Sequence, residues 1–149
     1  MPAASSDLRI APVPQRQIPL IRELNATIFG DSHIIRTFDR PELLMLVARL
    51  HDNPVGFKIG YQLDPNTFYS AKGGVIPSAR RQGIARALLH AMLDEARAQS
   101  YARFVFDTFP NKHPGMTILA LNEGFKVIRA GYNTEYHDYR LRFAYTLRP

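Results

Sequence analysis

At 149 residues, with 46% apolar and 21% charged side chains, the chain suits one domain with one buried core. It has no cysteine, which excludes disulfides, thiolate metal sites and any cysteine acyl-enzyme. The net charge of +6 comes almost wholly from arginine, because the only lysines are Lys58, Lys72, Lys112 and Lys126. Arginine suits bidentate recognition of phosphate or carboxylate, although most of these side chains read as an ordinary solvated surface. No apolar run is long enough to span a bilayer, and Met1 to Asp7 lacks a signal-peptide core, so a cytoplasmic protein with no membrane partner is expected.

Leu8 to Pro12 reads as a short first strand. After Pro14, Ile18, Ile21, Leu24 and Ile28 recur at helical spacing, and Gly30 stands where a helix C-terminus wants glycine. His33 to Phe38 leaves a second short helix open, and Leu43 to Leu50 fits a buried strand or a helix end. Asp52-Asn53-Pro54 is turn chemistry, and Val55 to Tyr61 alternates like a strand, so a hairpin is expected. Leu63 to Asn66 makes the next turn, and Thr67 to Ile76 returns as a strand. Gly73 and Gly74 inside it mark a bulge or a close approach by another group. Pro77 cannot donate to a ladder, so regular pairing should stop there.

A long amphipathic helix follows from Gly83 to about Gln99. Ala85, Leu88, Leu89, Met92 and Ala96 form its apolar face; Arg86, His90, Asp94 and Arg97 lie opposite. Ser100-Tyr101 closes it, and Phe104-Val105-Phe106 is a buried strand. Asn111 to Gly115 is a loop, Met116 to Asn122 a helix ended by Gly124, and Phe125 to Tyr132 a strand. A turn near His137-Asp138 leads into Arg140 to Leu147, with Leu141, Phe143, Tyr145 and Leu147 on one face. No repeat or linker divides residues 1–149, so they are expected to form one domain. The order of elements implies an α+β architecture with helices on both faces of a sheet.

The run from Val75 to Leu89 carries the chemistry. It reads as a strand end, a basic turn with glycine at its tight point, and a helix start with unpaired N–H groups and a positive dipole end. Such an arrangement is a diphosphate cradle. The spacing is neither a nucleotide P-loop nor G-x-G-x-x-G. Arg80-x-x-Gly83-x-Ala85 instead resembles the acyl-CoA pyrophosphate loop of the GNAT acetyltransferase superfamily. Val75-x-Pro77 before it, the Ser100-Tyr101 helix end, and Gly124-Phe125-Lys126-Val127-Ile128 fall in the same order as in that superfamily, so the likeness covers nearly the whole chain.

The resemblance implies a mixed central sheet of about six to seven strands with helices on both faces. It implies acetyl-CoA as acyl donor, no metal, and direct transfer to a primary amine of a small molecule or a protein. Its pyrophosphate would lie on backbone N–H groups of Arg81, Gln82, Gly83, Ile84, Ala85 and Arg86, beside Arg80. The pantetheine arm would lie along Val75, Ile76 and Pro77, with a backbone N–H near Val75 polarising the thioester carbonyl. Asn111 maps to a cofactor-side asparagine of the family. Many relatives dimerise, so a homodimer is an expectation as well.

Two departures stand out. The tyrosine that commonly protonates the departing thiolate is replaced by Ala120, and no general base is marked. Asp31, Glu23, Tyr69 and Asp107 are the candidates by proximity to the expected acceptor cleft; helix-end, capping or surface roles compete for each carboxylate. The loss of the tyrosine keeps a second reading open, a non-catalytic acyl-CoA-binding or regulatory module. The five histidines show no metal-ligand spacing, and nucleic-acid binding has a basic charge behind it but no motif.

Overall fold

The computed structural model describes residues 7–148, so Met1 to Ser6 and Pro149 of the expected domain lie outside the described residues. In chain order the elements are β1 (Leu8–Pro12), α1 (Ile18–Phe29), β2 (Leu44–Leu50), β3 (Asn53–Asp64), β4 (Thr67–Val75), α2 (Ile84–Ala98), β5 (Arg103–Thr108), α3 (Pro114–Asn122), β6 (Lys126–Asn133) and β7 (Asp138–Thr146). The strands form one seven-stranded sheet in the order β1-β2-β3-β4-β5-β7-β6. All neighbours are antiparallel except β4 and β5, which the α2 crossover makes parallel.

Alternation along the strands sorts side chains to two faces. Phe57, Ile59, Met45 and Val47 pack beneath Ile21 and Leu24 of α1. Leu46, Phe68, Phe104, Phe106 and Phe143 pack on the other face, under Leu88, Leu89 and Met92 of α2 and Ala120 of α3. The expected α+β sandwich of helices on both faces is therefore what forms. Gly30, at φ +71°, ends α1, and Gly124, at φ +88°, ends α3, as their positions after the apolar periods require.

Several local expectations are corrected. His33 to Phe38 is not a helix. The carbonyl of His33 accepts from the Asn25 amide at 3.4 Å and from Lys72 Nζ at 2.5 Å, while Ile34 plugs the α1 core. Side chains thus take a carbonyl that a helix would have used internally. Leu43 to Leu50 resolves as a strand. The β2–β3 hairpin turns on His51 and Asp52, at φ +50° and +67°, so Asn53 and Pro54 already belong to β3. Two left-handed residues match the twist of a two-residue hairpin. Pro54 is tolerated because the register slips there, between Ala48 and Arg49 of β2. On α2 the buried first residue is Ile84, whereas Ala85 is exposed, because burial follows the 3.6-residue phase of Leu88 and Leu89.

The two strand glycines have separate causes. A Cβ on Gly74 would come within 2.8 Å of Ile28 Cγ2 and 3.1 Å of the Phe29 ring, so glycine lets α1 settle on the sheet. The ladder irregularity falls just before them, where Ala71 is the extra residue between the Ile59–Lys72 and Gly60–Ser70 pairs. Gly73 lies on the opposite face, beside Lys58.

Candidate functional site

Pairing between β4 and β5 runs only from Thr67 with Arg103 to Ser70 with Phe106. Beyond it Ala71 to Val75 continue β4 without a β5 partner, so the sheet opens into a gap between the two strands. The Ile76 N–H donates to the Val55 carbonyl at 2.8 Å, on the β3 side. Backbone groups alternate direction along a strand, so those of Gly73 and Val75 point the other way, into the gap. Val75 therefore turns its N–H toward the gap. Ile76 does not, and Pro77 has none. The carbonyls of Val75, Ile76 and Pro77 accept from Arg80 Nε at 3.1 Å, Ala79 N at 3.0 Å and Arg80 N at 3.4 Å. Gly73, two residues before Val75, is one of the two strand glycines that the sequence marked for a bulge or a close approach by another group, and it borders the gap.

The gap leads to the start of α2. Gly83 sits at φ +77° and Arg81 at φ +63°, a tight left-handed path ending in the helix N-cap. The first intrahelical bond is Ala87 N–H to the Gly83 carbonyl at 3.0 Å, and no side chain caps the helix. The N–H groups of Ile84, Ala85 and Arg86 thus have no carbonyl four residues back within the helix. These donors, with the positive end of the dipole, fit a diphosphate. Arg80 spends its Nε on Val75 across the loop. The Arg86 side chain turns away to Glu123, at 2.8 Å, where His90 also binds. The His90 hydrogen bond leads in holding the Glu123 carboxyl below its usual range, with Arg86 adding to it against the cost of desolvation.

On the α1 face, beside the mouth of the gap, Tyr69 and Asp107 come together. The Tyr69 hydroxyl donates to Asp107 Oδ2 at 3.1 Å, and Arg142 grips the same carboxylate through Nε at 2.8 Å and Nη2 at 3.0 Å. Burial first, then the Asp107 charge, push the Tyr69 phenol well above its ordinary value, so it stays neutral and serves as a donor. A cavity of about 230 Å³ continues from Asp107 along Arg129, Gly131, Tyr132, Arg140 and Arg142. Arg129 stands directly opposite Arg142 and Gly131 opposite Arg140 in the β6–β7 register. Like charges facing each other cost stability, and Asp107 is the sole acid in the lining.

The other candidates lie apart from this pair. Asp31 accepts from Asn25 Nδ2 at 3.2 Å, the His33 N–H at 3.2 Å and Lys72 Nζ at 3.4 Å. Desolvation works to raise its carboxyl, but the Asn25 bond and the Lys72 charge prevail and hold it low. Those contacts make Asp31 the organiser of the turn after α1. Glu23 is exposed on the solvent side of α1. Asn111, in the loop before α3, donates its amide to Asp138 Oδ1 at 3.0 Å and so ties that loop to β7. Ala120 is fully buried among the core aromatics.

A further polar group is buried near the gap. Lys58, on the α2 face of β3, keeps 7% of its surface exposed, and no acid among the described residues pairs with it. Burial alone pushes its ammonium down to about 8. The sequence offered no signal for it beyond a lysine standing inside an apolar strand. Among the described residues no three His, Asp or Glu side chains gather as a metal site, and no helix is long and apolar enough to cross a membrane.

The family model described as "Acetyltransferase (GNAT) family" matches residues 12–117. A search of the curated proteins finds no match. Among solved structures, the ribosomal-protein-S18-alanine N-acetyltransferase of Escherichia coli superposes with a TM-score of 0.81 at 17% identity, over 95% of each chain. A GNAT family acetyltransferase from Elizabethkingia anophelis, solved with acetyl-CoA bound, also gives 0.81 at 17% identity, over 95% of this chain and 99% of that one. An aminoglycoside 6'-acetyltransferase type Ii gives 0.76 at 18% identity, over 95% and 98%.

Proposed function

The chain belongs to the GNAT acetyltransferase family, and from that premise we propose that residues 1–149 form one cytoplasmic domain that moves an acetyl group from acetyl-CoA directly to a primary amine. The observation that carries this reading is the continuity of the β4–β5 gap with the unpaired N–H groups at the start of α2. One long polyanionic thioester fits both: diphosphate on Ile84, Ala85 and Arg86, pantetheine along Gly73 and Val75. The Val75 N–H then meets the thioester oxygen and stabilises the negative charge that grows there.

The acceptor enters on the α1 face. Asp107, fixed by Arg142 and Tyr69, orients its nitrogen through a hydrogen bond, and the proton of the incoming ammonium leaves to water. The arginines of the adjoining cavity favour a small-molecule or protein amine that carries an anionic group nearby. With no cysteine in the chain, transfer in a ternary complex needs no covalent enzyme intermediate. Buried Ala120 favours the second reading, an acyl-CoA-binding module without turnover.

Two measurements test the proposal. A ligand at about 100 times its Kd stabilises the fold by about 2.7 kcal/mol, so millimolar acetyl-CoA should raise the thermal midpoint, and free CoA should do likewise. No shift with either would overturn the cofactor assignment. Thiol release from acetyl-CoA over a panel of amines then separates enzyme from binding module. Turnover with at least one amine is expected, and a binding protein that releases no thiol with any of them supports the second reading.

A further inference from the structure

We propose that Lys58 is the proton donor to the departing CoA sulfur, taking the part for which this chain has no tyrosine. The inference rests on the acetyltransferase reading above and goes beyond it, since no sequence pattern marks this residue.

The geometry comes from the strand register. Lys58 pairs with Gly73 across the β3–β4 ladder. Its neighbours Phe57 and Ile59 face α1, so its own side chain faces α2. A Cβ built on Gly73 would lie 3.1 Å from Lys58 Cγ, which shows that the lysine stem leans over Gly73 toward the far edge of β4. That edge borders the gap. Adjacent strands are about 4.8 Å apart, and an extended lysine spans slightly more than that, so its length is enough to bring the ammonium to the gap at Gly73 and Val75. A side chain at position 73 would block this path.

The chemistry of the surroundings agrees. On the α2 face β2 presents Leu44, Leu46 and Ala48, β4 presents Ser70, Gly73 and Val75, β5 presents Phe104, Phe106 and Thr108, and α2 presents Leu88, Leu89 and Met92. None of these bears an acid or a base, and the charged side chain that reaches Val75, Arg80, is itself a cation, so no acid among the described residues neutralises Lys58. A buried ammonium without a counter-charge is costly unless it meets an anion during function. A thiolate leaving group is that anion. The acceptor nitrogen, entering as the free amine, forms its bond to the acyl carbon and gives up one proton to water, and the carbon–sulfur bond breaks with its electron pair going to sulfur. Lys58 gives one Nζ proton to that sulfur, and the neutral amine regains a proton from water after the products leave. Lysine with a pKa near 8 is mostly protonated at neutral pH and gives up its proton more readily than a solvated lysine.

The test needs no knowledge of the acceptor. Free CoA, bound to the protein, is titrated by the short-wavelength ultraviolet difference absorbance of its thiolate, read against the protein without CoA. A neighbouring ammonium stabilises that thiolate, so the midpoint of bound CoA in the wild type should lie below that of CoA in buffer. It should lie about one pH unit or more below that of CoA bound to Lys58→Met. Lys58→Arg keeps the charge and should keep the low midpoint, yet a guanidinium cannot release a proton, so turnover with any active amine should fall. Equal midpoints in the wild type and folded Lys58→Met, both binding CoA, would overturn the proposal and leave the acetyltransferase reading standing. Failure of the wild type to bind CoA would instead bring down the acetyltransferase reading and the proposal with it. If Lys58→Met does not fold, the wild type decides alone: a bound midpoint at or above that of free CoA refutes the role. An acetyl group mapped by mass spectrometry onto Lys58 after incubation with acetyl-CoA would also refute it, since the residue would then be a nucleophile.

Discussion

Replacing Gly83 by valine tests the backbone cradle directly. Gly83 holds φ +77° at the N-cap of α2, where its own N–H and those of Ile84, Ala85 and Arg86 face outward. An L-residue in the left-handed region costs about 1–2 kcal/mol, which for a domain of this size lowers the melting temperature by roughly 2–8 °C and leaves it folded at room temperature. The binding loss should be larger. Hydrogen bonds to a charged group contribute about 1.5–3 kcal/mol each, so displacing a diphosphate from two of these donors costs about 3–6 kcal/mol. At 1.4 kcal/mol per tenfold, acetyl-CoA affinity should fall by roughly 100-fold or more. Arg80→Ala removes a side chain whose Nε is already occupied by the Val75 carbonyl. Its loss should weaken acetyl-CoA by about tenfold or less. Calorimetric titration of both folded variants gives the order. A simple basic patch predicts the reverse, because only the arginine substitution removes charge. If Arg80→Ala binds acetyl-CoA more weakly than Gly83→Val, the cradle at the start of α2 is wrong.

Gly60→Ala should destabilise the fold by about 1–3 kcal/mol, read as a lower denaturant midpoint, because the new Cβ would sit 2.6 Å from the Phe68 ring and 2.7 Å from the Tyr69 carbonyl. Glu123→Gln should lower stability at neutral pH and make no difference in acid. The native Glu123 carboxyl is held below its unfolded value, so its contribution is present above the unfolded pKa and lost as pH falls through the folded one. Paired thermal melts of wild type and variant across that range check the convergence. Substituting both Arg129 and Arg140 by glutamine should raise KM for anionic amines while leaving the KM of acetyl-CoA unchanged, which initial-rate kinetics with each substrate varied would show.

The parts of this protein that were legible in its sequence are those whose causes are local. The helix from Ile84 to Ala98 follows from an apolar period, and the ends of α1 and α3 follow from Gly30 and Gly124, which alone take their positive φ cheaply. The left-handed turn and the free helix start at Gly83 were legible for the same reason, since a glycine turn followed by a helix start makes unpaired N–H donors wherever it occurs. What the sequence could not decide depends on strands brought together from distant positions. Asp107 meets Tyr69 because β4 lies on one side of β5 and Arg142 because β7 lies on the other, so a candidate base became the centre of an ion pair. Asp31 became the organiser of a turn through Asn25 and Lys72, and the segment after it lost its helix to those same side chains. Lys58 carried no local mark beyond standing inside an apolar strand. Its burial, its missing counter-charge and its path over Gly73 arise from one cross-strand register, and register is a property of the folded sheet.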